Sequence, residues 1–156
     1  MKLAAITGAL ICAGGLFSHN SFAQNVDVKD AWVRTSVQGQ KASGAFMTLT
    51  AKQATRLVSI STPIAGVAGV HEMKMEGDVM KMRSLPDGLD LPAGKPVTLS
   101  PGGFHIMLMD LKAALPKDST VPLTLVFKDA SGVESKLDVK LPVATSAPNA
   151  MAEHKH

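Results

Sequence analysis

Tyrosine is absent from this 156-residue chain, aromatic residues make up 4 % of it, and Trp32 is the only tryptophan. A nucleic-acid surface needs a basic stripe interleaved with stacking aromatics. Here 16 Lys and Arg are scattered among 13 Asp and Glu, a formal charge of +3, so neither half of that requirement is met and nucleic acid is excluded as a partner. Cysteine is nearly as scarce. Cys12 stands alone, and the preceding Leu10-Ile11 lacks the small residue a lipoprotein signal carries just ahead of its cysteine. Long apolar runs are missing too: the one from Leu3 to Phe17 is interrupted by Thr7, Gly8, Gly14 and Gly15 and stopped by Ser18-His19-Asn20, which falls short of a membrane span.

Lys2, that apolar run and the small-x-small ending Ser21-Phe22-Ala23 have the parts of a secretory signal. Residues 1–23 are therefore read as a cleaved leader, so the mature chain is expected to be exported without stable membrane insertion. Cys12 leaves with the leader. The mature chain then has no thiol and no possible disulfide, so it must be held by packing, and residues 24–143 are enough for one core. Residues 144–156 begin Ala-Thr-Ser-Ala-Pro-Asn-Ala, a linker composition, and end with Met151, His154 and His156. They are expected to form a disordered tail.

Between leader and tail nothing reads as helix. Val26 to Thr35 alternates as a strand with an irregularity near Asp30, and Trp32 is expected to anchor the core. Ala45 to Thr50 is β-branched and aromatic enough for a second strand with Met47 as core filler, and Arg56 to Ser61 is a third, stopped by Pro63. Val97 to Leu99, Phe104 to Leu111, Val121 to Phe127 and Glu134 to Val143 supply further strands, while Pro86 to Pro96 reads as loop. About eight or nine short strands with Gly and Pro turns predict an all-β sandwich or barrel.

What the chain does have is methionine beside histidine. Both histidines outside leader and tail are followed two positions later by methionine, as His71-Glu72-Met73 and His105-Ile106-Met107, and on a strand such residues share a face. With methionine at about 6 % of the mature chain, two such pairs arise by accident roughly 0.4 % of the time, so the pattern calls for a chemical reason. Imidazole nitrogen with thioether sulfur and no thiolate is a soft, neutral donor set suited to Cu(I) rather than to calcium, magnesium or structural zinc.

The register around these residues can be worked out. Gly77-Asp78 is a two-residue hairpin signal between Val70–Met75 and Val79–Arg83. A loop centred there pairs residues whose numbers sum to 155, setting Met73 opposite Met82 and Met75 opposite Met80 with His71 on the same face. Glu72, Arg83, Lys74 and Lys81 take the other face, in solvent. In Phe104 to Leu111, Phe104, Ile106 and Leu108 alternate with His105, Met107 and Met109, so one face can seat the strand while the other meets a ligand.

Three other readings compete. A blue-copper carrier needs a Cys the mature chain lacks. A zinc hydrolase wants three His or carboxylate ligands and an open position, and Glu72 lies on the wrong face. A non-metal β-sandwich binding or adhesion module with a methionine-rich core is the alternative that fits the composition.

The run from His71 to Met82 and the run from Leu99 to Lys112, with spacing His71-x10-Met82-x22-His105-x-Met107, resemble the signature of the periplasmic Cu(A) copper-chaperone family. That resemblance implies a cupredoxin-like Greek-key fold over about Trp32 to Leu141. It also implies that His71, Met82, His105 and Met107 hold one Cu(I) for delivery to the Cu(A) site of cytochrome c oxidase, carried by its subunit II, with another copper chaperone as a further conceivable partner. Met73, opposite Met82, is a reserve ligand. Transfer by ligand exchange involves no substrate chemistry, so no enzyme activity is expected. In the tail, His154 and His156 with Met151 offer nitrogen-richer donors that suit Cu(II).

Overall fold

The computed structural model describes residues 25–148 as an all-β chain of ten strands. They are β1 (Val26–Arg34), β2 (Ala42–Ala51), β3 (Thr55–Ser61), β4 (Ala65–Glu76), β5 (Val79–Ser84), β6 (Leu89–Leu91), β7 (Pro96–Leu99), β8 (Phe104–Leu111), β9 (Thr120–Asp129) and β10 (Glu134–Ala144). The predicted leader and most of the predicted tail, including Met151, His154 and His156, lie outside the described residues. Among the described residues no helix is long and apolar enough to cross a membrane.

One ladder runs β5-β4-β8-β2-β1, with β7 also paired to β2, and a second runs β10-β9-β3-β6. In the strand order they are joined by β1 and β10, through the parallel pairs of Val33 with Val143 and Arg34 with Ala144. The order ends in β5 at one edge and β6 at the other, so the barrel-or-sandwich expectation resolves as an open sandwich. A single apolar core draws on both ladders: Val33, Met47, Leu49, Ile106 and Leu108 from the first, Leu57, Leu123, Leu125, Phe127 and Leu141 from the second.

Strand period explains which residues reach that core. On β2 the buried Ala45, Met47 and Leu49 alternate with residues of the opposite face. On β1 the register shifts between Lys29 and Trp32, where Asp30 takes a left-handed φ of 53°. This bulge moves the inward parity from Val26 and Val28 to Val33, so Trp32 ends on the other face. Trp32 is buried, as expected, but outside the core cluster: its ring stacks obliquely on Phe46 at 4.7 Å. The core-anchor expectation is corrected to an anchor of the outer face.

Two further differences from the sequence reading concern length. Leu89–Leu91, inside the stretch read as loop, pairs with Thr55–Leu57 as β6. The strand expected from Val70 begins at Ala65, and its first part pairs with β8, from Ala65–Leu111 to Glu72–Phe104.

Candidate metal centre on the outer face of the sheet

The β4–β5 hairpin has the deduced register: Met73 faces Met82, Met75 faces Met80, Glu72 faces Arg83 and Lys74 faces Lys81. Gly77 makes the two-residue turn possible with φ of 63°, a conformation that side chains other than glycine rarely adopt. On the charged face Arg83 bonds Glu72, and Lys81 reaches Glu76 at 2.7 Å. That occupies Glu72 and keeps its carboxylate away from the sulfur face.

Strand β4 next pairs with β8, which sets His71 directly opposite His105. Their rings lie 6.0 Å apart, centroid to centroid, and within 21° of parallel. Both rings are oriented in the same way. His71 Nδ1 lies 3.4 Å from the Gly69 carbonyl and His105 Nδ1 lies 3.1 Å from the Gly103 carbonyl, in each case two residues back along the chain. A carbonyl oxygen only accepts, so Nδ1 carries the proton and the neutral ring keeps its lone pair on Nε2, free for a metal. The Gly103 carbonyl also accepts the Met73 N–H at 3.1 Å, tying the hairpin to the turn that precedes His105.

Strand β8 divides as its alternation predicts. Ile106 and Leu108 are in the core, while Met107 and Met109 are half-buried on the other face and His105 is 7 % exposed there. Met107 is flanked by glycine on both sides, Gly69 on β4 and Gly44 on β2. The Phe46 ring occupies the room a Gly44 side chain would need, since a Cβ there would stand 2.8 Å from its Cζ. The result is an open depression of about 360 Å³ lined by Met73, Met82, His105, Met107, Phe46 and Arg34, among others.

Of the expected ligand set, Met82, His105 and Met107 thus meet at one depression, with Met73 beside them. His71 lies at the rim: its ring faces His105, but it opens onto the adjoining hollow with Ser84 and Met109. Sequence reasoning missed Arg34 and Phe46. The Arg34 guanidinium sits 5.3 Å over the Phe46 ring and is the one charged group lining the depression among the described residues. Outward alternation of Phe46 against core Ala45 and Met47 is the signal that pointed there.

The structure also answers the methionine-core alternative. Met75, Met80 and Met82 are 54 %, 46 % and 50 % exposed, Met73, Met107 and Met109 are half-buried, and Met47 alone among the described methionines is fully buried. Among the described residues no cluster of three His, Cys, Asp or Glu side chains could hold a metal.

A family model described as "Putative lipoprotein LpqE-like" matches residues 26–143. The chain belongs to the LpqE-like family. A curated relative described as "Putative lipoprotein Lxx21020", from Leifsonia xyli subsp. xyli, is 32 % identical over 118 residues, 76 % of this chain and 71 % of that one. Among solved structures, that of Cu(I)-DR1885 from Deinococcus radiodurans is 30 % identical with a TM-score of 0.58, over 83 % of this chain and 86 % of that one. The apo PCuAC domain from PmoF1 aligns with a TM-score of 0.57 over 77 % of this chain and 95 % of that domain, at 22 % identity. The copper-chaperone resemblance read from the two His/Met runs is therefore borne out as family and as fold.

In this LpqE-like domain the expected ligands, with the reserve Met73, come from three strands. β4 supplies His71 and Met73, β5 supplies Met82 and β8 supplies His105 and Met107. Two ladders that pair them side by side, β4–β5 and β4–β8, bring together residues more than thirty positions apart in sequence.

Proposed function

We propose that this LpqE-like domain is a periplasmic copper chaperone that binds one Cu(I) through His71, Met82, His105 and Met107. The observation that carries the reading is the meeting of imidazole and thioether donors, with no thiolate or carboxylate, at one open depression on the outer face. Such a neutral, soft set favours Cu(I) over Zn(II) and Cu(II). His71 completes the set from the rim by turning its ring toward the ion, and Met73 stands opposite Met82 as an additional donor.

Release follows from the same geometry. Met82 is half exposed, so an incoming ligand from an acceptor can bond the ion as the Met82 sulfur leaves, with copper staying Cu(I) throughout. The acceptor we assign is a cuproprotein, the Cu(A) site of cytochrome c oxidase subunit II, or a second copper chaperone passing the ion onward. The function involves no catalysis. The 32 %-identical relative and the matching family are described as lipoproteins, which agrees with export of this chain. We also assign the tail residues Met151, His154 and His156 a weaker capture role toward Cu(II).

The deciding experiment is anaerobic titration of the purified protein with Cu(I) against a chromophoric chelator, with Zn(II) in parallel. The expected result is tight uptake of Cu(I) that is lost in His105→Ala and Met107→Ala, with zinc failing to compete. Equal retention of zinc and copper, or unchanged uptake in both variants, would overturn the reading. Deleting residues 149–156, which lie beyond β10, should leave Cu(I) uptake intact and remove the Cu(II) uptake.

A further inference from the structure

Two methionines of the hairpin remain outside the depression. Met75 on β4 and Met80 on β5 are cross-strand partners, one step beyond the Met73–Met82 pair. Residues two apart on a strand share a face and stand about 7 Å from each other. The outer face of this ribbon therefore carries four thioethers in two adjacent rows, the inner row at the depression and the outer row next to the Gly77 turn.

Neither outer side chain is buried. Met75 and Met80 are 54 % and 46 % exposed, and β5 is exposed at every position and, among the described residues, has no strand beyond it. Exposed strand positions favour β-branched and polar residues, and a methionine left in water gains nothing from packing. The opposite face already supplies solubility through the Glu72–Arg83 and Glu76–Lys81 pairs. What the thioethers keep in water is their donor chemistry, and directly paired residues bring two flexible side chains within reach of one ion.

We propose that Met75 and Met80 form an outer Cu(I) site, weaker than the inner one, from which the ion passes to the Met73–Met82 row. This rests on the reading of the depression as a Cu(I) site. The hand-over is ligand exchange: a Cu–S bond to Met73 or Met82 forms as one to Met75 or Met80 breaks. Copper remains Cu(I), and no electron or proton moves. Thioether sulfur alone, without imidazole, gives the outer pair the lower affinity.

The test is Cu(I) titration of the apo chain under anaerobic conditions against a chromophoric chelator. It compares wild type, Met75→Leu with Met80→Leu, and His105→Ala. Leucine keeps apolar volume and removes sulfur, and thermal unfolding of each apo variant checks that the fold is retained. Wild type should take up two equivalents on the hairpin face in sequence. The double leucine variant should lose the second, weaker equivalent and keep the first, and the ε-methyl NMR signals of Met75 and Met80 should shift only during the second addition. His105→Ala should lose the first and keep the second. A second equivalent that persists in the double leucine variant, or ε-methyl signals that never move, overturns the outer site. Uptake that stops at one equivalent in wild type overturns it while leaving the proposed function standing, whereas no uptake in wild type overturns both.

Discussion

The two faces of the β4-β8-β2 sheet use methionine in opposite ways. Met47 points inward, is buried, and pairs with Leu99 across the β2–β7 ladder. Met107, on a strand paired to the same β2, points outward beside His105 and is half-buried at an open depression. One side chain type serves as filler on one face and, in the function proposed above, as donor on the other. The backbone pleat makes this separation, so stability and metal chemistry can be altered almost independently.

The separation is broken first, and most strongly, at His105. Replacing a metal ligand should cost more than the 10–100-fold that loss of a ligand's hydrogen-bonding partner typically costs, so His105→Ala should weaken Cu(I) binding by more than about 100-fold in chelator competition, with apo unfolding shifted little. If apo stability falls instead and affinity holds, the outer face is structural. Next in size comes Met47→Ala, which removes a buried side chain and should destabilise the apo domain by about 2–5 kcal/mol in denaturant unfolding while leaving one tight Cu(I).

Acidification should sharpen the contrast. Protons compete with metal for imidazole nitrogen, so Cu(I) affinity should decline as pH falls. Mutating Met47 should leave that slope unchanged, and removal of His105 should make it shallower. Copper affinity that does not vary with pH would take the histidines out of the ligand set. The smallest effect is expected at the charged face of the hairpin: Glu72→Gln breaks a surface pair with Arg83, worth under about 1 kcal/mol, and copper binding should not change.

Local pattern carried much of this arrangement. The hairpin register follows from a two-residue turn at Gly77-Asp78, and the two faces of β8 follow from strand period, so Met73 with Met82 and, separately, His105 with Met107 could each be put on one face before any tertiary information, while the β4–β8 pairing joins the two faces. What could not be read depends on departures from period or on distant pairing. A bulge at Asp30 reverses which residues of β1 face inward, turning Trp32 out of the core to support Phe46. Arg34 reaches the depression only because β1 lies beside β2 and β2 beside β8. The three residues of β6 are too few for a periodic signal and exist as strand through pairing with β3.

The shared carbonyl of Gly103 has a consequence for measurement. Because it accepts both the Met73 amide and the His105 imidazole N–H, the Met73 amide proton reports on the turn that aims the histidine. Its hydrogen exchange with solvent rises whenever that turn opens. The backbone thus contains a gauge of site readiness that needs no metal and no label, and slower exchange at this one amide on loading would mark the turn as locked by its cargo.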